Sequence, residues 1–266
     1  MPSSRMTDGA RHTNPSPRKF KLISCEVFYR EMCEVVARSP HQIDIEFLPK
    51  GLHDIGCVGM CARLQSAIDA VDTSRYDAIL LGYALCNNGI AGLRAPSIPL
   101  VVARGHDCMT LFFGSRERYL KYFSDHPGTY FLTSGWIERG SDAGELRQIS
   151  IQHTTGMDRT YEDLVKQYGE DNARYIYEQL CDQTKHYRRI TFIRMGNEPN
   201  DSFRLHAEQR AAEHQWEFDQ VDGDMSLIRQ LVDGHWSDTD FLVVQPGWRI
   251  AVRYDEGIIT AEPGDT

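Results

Sequence analysis

Residues 78–89 read Ala-Ile-Leu-Leu-Gly-Tyr-Ala-Leu-Cys-Asn-Asn-Gly. The stretch from Ala78 to Tyr83 shows no polar alternation, which is the pattern of a strand buried on both faces. Such strands belong to parallel sheets covered by helices. The stretch therefore predicts an α/β fold, with Cys86-Asn87-Asn88-Gly89 as the turn that closes the strand. Upstream, Phe20–Cys25 reads as a strand, and 27–38 as a helix stopped by Ser39-Pro40. The alternating Ile43–Leu48 then leads through a loop at 49–54 to a helix over 60–71. Downstream, Leu100–Ala103 is a fourth strand, and Arg104-Gly105-His106-Asp107-Cys108 leads into a helix beginning at Met109. Strands alternating with helices predict a mostly parallel, Rossmann-like sheet with right-handed crossovers.

The second half predicts helices over 160–168, 171–186, 203–214 and 225–232, with strands at 190–193, 216–221 and 241–244. The expected organisation is a loose tail over 1–18, an N-terminal α/β lobe over 19–140 carrying the Cys and His motifs, and, over 141–266, a helical connection followed by a C-terminal α/β lobe. The tail is rich in Ser, Pro and Arg and has too little apolar surface to offset the entropy of ordering it.

The chain has 266 residues, 41% hydrophobic and 25% charged, so it can build a sizeable core. Its 29 Lys+Arg against 38 Asp+Glu leave a net charge of −9, which disfavours nucleic acid and anionic membranes as partners. No apolar run is long enough for a membrane helix, and the N-terminus lacks the apolar core of a secretory signal, so the expected location is cytoplasmic. Homo-oligomerisation is left open. Seven cysteines are an odd number and too few for a disulfide scaffold, leaving free thiols, metal ligands or a nucleophile.

In an open parallel sheet, ligands sit beyond the carboxyl ends of the strands. Those ends are Cys25-Glu26, His53-Asp54, Cys86-Asn87 and His106-Asp107-Cys108, so each strand delivers a soft or borderline metal ligand to one edge. Cys25, Cys86, His106 and Cys108 are the expected metal ligands, with Zn²⁺ the first candidate and iron the second, because thiolate and imidazole suit these ions. His53 or Asp107 could support or replace one of them. The alternative is four buried residues that pack at strand ends. His106, Asp107 and Arg104 are the candidate catalytic groups, with Arg104 as an anion clamp or a plain ion-pair partner. The Gly-rich passage through Gly82, Tyr83, Asn87 and Gly89 could cradle a ligand with its backbone N–H groups, or could simply be a tight turn. Cys57 and Cys61, four residues apart, are a second thiol pair or incidental.

Several motifs in order resemble one family: KLISCEVFYREM, IEFLPKGLHD, RLQSAID, YDAILLGYALCNNGIAGL, VVARGHDCMTLFFGS and GTYFLTSGWIE. Together they resemble the family called domain of unknown function 1638, from about residue 20 to 138. Members usually carry Gly in place of Ala84, yet Cys86, His106 and Cys108 keep their places. The resemblance implies a setting beside corrinoid-dependent methyltransferases in one-carbon and methylamine metabolism. A small methylated substrate or a corrinoid protein is then the expected partner. The chain lacks the D-x-H-x-x-G motif of a corrinoid carrier. The expected role is a metal-binding methyltransferase component. The alternatives are a non-catalytic accessory of such a system and a metal-free Cys–His enzyme.

Overall fold

The structure is a computed structural model that describes residues 16–140, 144–155, 157–181 and 185–264. In the first half, strands β1 (Lys19–Cys25), β2 (Gln42–Leu48), β3 (Ala78–Gly82) and β4 (Leu100–Ala103) alternate with helices α1 (Tyr29–Arg38) and α2 (Gly56–Asp69). Helices α3 (Met109–Phe113) and α4 (Arg116–Asp125) follow, then β5 (Thr129–Leu132) and α5 (Ser134–Glu138). Next come α6 (Ile151–Thr155), α7 (Tyr161–Tyr168), α8 (Glu170–Ile176) and β6 (Arg189–Arg194). The chain continues through α9 (Ser202–Glu213), β7 (Glu217–Asp222), α10 (Ser226–Val232), β8 (Phe241–Val244), β9 (Trp248–Val252) and β10 (Ile259–Pro263). No helix among the described residues is long and apolar enough to cross a membrane.

The fold is α/β. Its main sheet has the order β2-β1-β3-β4-β8, and its first four strands are parallel. All five residues of β3 are buried, as the unbroken apolar run requires. The chain leaves β1 outward to β2 and returns to β3 on the other side of β1. The β1/β3 boundary is therefore the topological switch point, where the loops diverge and leave a crevice.

Two pairings cross the expected division at residue 140. Strand β5 lies before it but pairs in parallel with β6, which pairs with β7, so the second sheet is β5-β6-β7. Phe241–Val244 was expected in the C-terminal lobe. As β8 it returns to the main sheet and pairs antiparallel with β4, Val101 opposite Val243. Its four residues are almost wholly apolar, and the edge of β4 offers both hydrogen bonds and cover. The helix expected over 171–186 is α8 followed by a π-helical turn at Tyr177–Cys181, and residues 182–184 lie outside the described residues. Residues 1–15 of the expected tail also lie outside them; at its end the Arg18 guanidinium lies over the rings of Phe20 and Trp236.

Close packing sets the spacing of these parts. A Cβ at Gly82 would stand 2.2 Å from Ser24 Oγ and 2.9 Å from Met32 Cε, so only glycine lets α1 lie this tightly on β1 and β3. A Cβ at Gly135 would stand 1.7 Å from the Val27 carbonyl oxygen, which brings the loop after β5 onto the loop after β1. The carboxyl ends of the two sheets thereby meet. The hairpin β9–β10 braces the loop after β3, since Gly92 and Ala95 donate backbone N–H groups to Ile250 and Trp248 at 2.8 and 2.9 Å.

Gly82→Ala is expected to cost about 1–3 kcal/mol in urea unfolding, the usual range for overpacking. Gly135→Ala should cost more, because the obstacle is backbone and not a side chain that can turn away. Ser24→Gly combined with Gly82→Ala should recover part of the loss.

Candidate functional site

Three thiols come together where the two sheets meet. Cys25 ends β1, Cys86 follows β3, and Cys108 begins the turn into α3 after β4. They are 1, 6 and 6% exposed. They are near enough to feel one another's charge: that of Cys25 raises the pKa of Cys86, and those of Cys86 and Cys25 raise that of Cys108. The imidazole that joins them is His53, whose Nε2 lies 3.5 Å from Cys25 Sγ. It comes from the short 3₁₀ stretch after β2, which is held by the Lys50 N–H donating to Glu26 Oε1 at 2.7 Å. Tyr83 and Trp136 flank the imidazole, each with its ring centroid 6.2 Å away.

The backbone at Cys86 is strained in the same place. Cys86, Asn87 and Asn88 have φ of 46, 55 and 63°, three successive non-glycine residues in the left-handed region. Asparagine tolerates this conformation, whereas a cysteine gives up about 1 kcal/mol or more to adopt it. The Cys86 N–H donates to the His106 carbonyl at 2.9 Å, and the Gly89 N–H closes the turn onto the Cys86 carbonyl at 3.0 Å. The turn aims the peptide so that the thiol stays buried while Asn87 and Asn88 face solvent.

Burial drives these groups to their uncharged forms. It pushes the Cys25 thiol up to about 12, aided by the Glu26 charge and opposed by the Val27 backbone N–H and Lys50. Burial likewise pushes Cys86 up to about 12 and raises Cys108 well above the ordinary thiol range. His53 moves down to about 4, through burial first and the Lys50 charge second. A thiolate–imidazolium pair is thus disfavoured here, unlike in activated cysteine sites. The Tyr83 hydroxyl and the Trp136 indole N–H are buried beside Cys25 and Cys108, with no hydrogen-bond partner of normal geometry. Among the described residues, no group of three or more His, Cys, Asp or Glu side chains already stands in an arrangement able to hold a metal ion.

The other expected site residues are placed as follows. His106 is exposed, and its side chain acts on Asp107 and not on the thiols. Asp107 accepts from the Tyr119 hydroxyl at 2.7 Å and from the Met109 N–H at 3.0 Å, so it holds the start of α3. Burial raises its pKa. Arg104 donates to the backbone carbonyls of Asp238, Phe241, Gly257 and Ile259, which ties the main sheet to the hairpin. A Cβ at Gly89 would stand 2.2 Å from Met60 Sδ, so Gly89, like Gly82, is glycine for lack of room. Cys57 is exposed and Cys61 half-buried, with the Cys61 thiol donating to the Ala91 carbonyl at 3.2 Å. Lys50 was not among the expected site residues, whereas Trp136 ends the Thr133-Ser134-Gly135-Trp136 turn, whose aromatic reads in the sequence as a pocket wall or as plain core. Trp136 falls in a motif quoted for its family resemblance, and Lys50 has its ammonium 5.2 Å from the Trp136 ring. Beside Lys50 opens a cavity of about 290 Å³, also lined by Asp54, Arg147, Gln152 and Asp158.

A family profile described as Protein of unknown function (DUF1638) matches residues 47–232. No curated protein and no solved structure matches the chain.

His53 sets a pH dependence that can be measured on metal-free protein. Its folded pKa of about 4 lies below the ordinary 6.5, so on acidification the unfolded chain takes up the proton first. The His53 contribution to stability is complete above pH 6.5 and declines down to pH 4, a swing of about 3 kcal/mol. Urea unfolding of His53→Gln across that window should lack this part of the slope. Equal slopes for the two proteins would show that the imidazole is solvated.

Proposed function

The chain belongs to the family described as Protein of unknown function (DUF1638), and we propose that it binds a thiophilic divalent metal, Zn²⁺ first and iron second, through Cys25, Cys86, Cys108 and His53. What carries the reading is the gathering of three buried thiols and one uncharged imidazole at the switch point of the main sheet. Buried thiolates need a countercharge, and Lys50 is the cation acting on Cys25. A metal ion supplies that charge and lowers the thiol pKa values as it binds. A neutral imidazole is the form that ligates, and its low pKa keeps His53 in that form at neutral pH. The unpartnered Tyr83 O–H and Trp136 N–H are donors of the kind that outer partners offer to metal-bound thiolates. His53 takes the place expected for His106. A cysteine turns about one side-chain torsion, and closing the site relies on such turns.

In this reading the metal acts as a Lewis acid or holds a reactive thiolate for methyl transfer, within the corrinoid-linked one-carbon metabolism that the resemblance implies. The partner is a small methylated substrate or a corrinoid protein, and a reducing cytoplasm keeps the thiols free.

Protein purified without an affinity tag and loaded with zinc under reducing conditions should retain one ion per chain. Cys86→Ser and His53→Ala should each fall well below that, with circular dichroism unchanged, while His106→Ala keeps its metal. Cobalt loading should give thiolate-to-metal charge-transfer bands. If the wild type retains neither zinc nor ferrous iron, the metal reading is overturned, and the Cys25–His53 contact becomes the better basis for chemistry. Metal and a stable corrinoid-protein complex without turnover would place the chain as an accessory and not an enzyme.

A further inference from the structure

Glu31, in the first turn of α1, is wholly buried. Its Oε1 accepts from Asn197 Nδ2 at 3.4 Å, a bond that joins α1, which follows β1 of the main sheet, to the loop between β6 and α9 of the second. Two atoms of this pair are left over: Glu31 Oε2 and Asn197 Oδ1 are both buried and without a partner. Both are acceptors when the carboxyl is ionised, and an unsatisfied buried acceptor is costly. One proton on Oε2 resolves both at once. The Oε2–H donates to Asn197 Oδ1 while Asn197 Nδ2–H donates to Oε1, which is the closed two-bond pairing of a carboxylic acid with a carboxamide.

We infer that Glu31 and Asn197 form a proton-held latch between the two sheets, closed by the acid–amide pair and released when the proton leaves to solvent. The charges around it favour the acid form. Arg30 is committed to Glu138, with Nε donating to Oε2 at 2.9 Å, so it offers Glu31 little. The Glu198 carboxylate is fixed nearby by the Met195 and Gly196 N–H groups, at 2.7 and 2.9 Å, and repels a second negative charge. Cys33, which also feels the Glu31 charge, is a thiol and brings no positive charge. Burial pushes the Glu31 carboxyl up to about 7, the Glu198 charge adding to it and the Glu31 backbone N–H, the Asn197 amide and the Arg30 charge opposing. Ionisation leaves Oε2 and Oδ1 as two buried acceptors without a donor, and the cheapest relief is for water to enter as the loop moves away. Because the carboxyl ends of both sheets meet where the thiols lie, release opens the way to Cys25, Cys86 and Cys108.

Two measurements on the full chain test this. Infrared difference spectra of wild type minus Glu31→Gln should show a buried carboxylic-acid C=O stretch at pH 6 that is gone by pH 9. Alkylation by iodoacetamide, resolved by peptide mass, should give equal rates at Cys25, Cys86 and Cys108 in wild type and Glu31→Gln at acid pH. Above pH 7 the wild-type rate should exceed the variant's by about tenfold or more, against a ceiling of a few hundredfold set by a carboxyl pKa of about 7 folded and 4.5 free. Comparing the proteins at one pH removes the thiols' own titration. Asn197→Ala breaks the pair without touching the carboxyl and should expose the three thiols even at acid pH. Absence of the acid band overturns the proton, and an alkylation ratio of one at every pH overturns the latch. The latch stands apart from the metal reading: alkylation is run with a chelator present, so that an ion held by the thiols under the proposed function shields neither protein, and the infrared band does not involve the thiols.

Discussion

Ser24 and Gly82 are register partners on adjacent parallel strands, and no side chain fits at position 82 between Ser24 and Met32. This steric constraint draws β1 and β3 together under α1 at the point where the sheet's connections diverge. The consequences follow along the two strands: Cys25 is one residue beyond Ser24, and Tyr83 is one residue beyond Gly82. The site is thus assembled by a packing requirement one residue below it along each strand, and Cys25 takes its position from backbone that cannot move apart.

The second sheet completes the enclosure. Gly135 seats the loop after β5 on the Val27 carbonyl, and Arg30 and Glu138 join α1 to α5 through paired nitrogen–oxygen contacts. Deeper, the Tyr122 hydroxyl donates to Asp219 at 2.6 Å and meets Thr191 Oγ1 at 2.8 Å, fixing α4 on β6 and β7. Because β5 leaves the first half of the chain for the second sheet and β8 returns to the first, the two sheets are tied by covalent crossings as well as by contact. What this enclosure does to the side chains is electrostatic. Desolvation holds the thiols and His53 uncharged and brings the Glu31 carboxyl up to about 7, so each becomes a place where charge, once introduced, has a large effect.

Most of the main sheet was legible in the sequence, because its signal is local. The unbroken apolar run at 78–83 can only be a strand covered on both faces, and Phe20–Cys25, Ile43–Leu48 and Leu100–Ala103 read as strands from their own residues. The edge rule then put Cys25, Cys86 and Cys108 on one side. The rule could not choose between His53 and His106. Both end strands, and what separates them is whether the ring turns inward, which depends on Glu26 holding the Lys50 N–H and on the Trp136 and Tyr83 rings beside His53. Strand β5 and the hairpin β9–β10 were missed because their short segments mix polar residues into the apolar pattern, and their pairing partners lie far off in sequence.

The sequence by itself determined the parallel α/β sheet, its strand ends and the residue types available there, since hydrophobic periodicity and turn chemistry act over a few residues and need no partner. Only the tertiary structure decided which sheet β5 and β8 join, that Arg104 spends its donors on four carbonyls, and that Glu31 is buried against Asn197. These outcomes depend on contacts 60 to 166 residues apart along the chain, and on desolvation, which exists only once the chain has closed around a group.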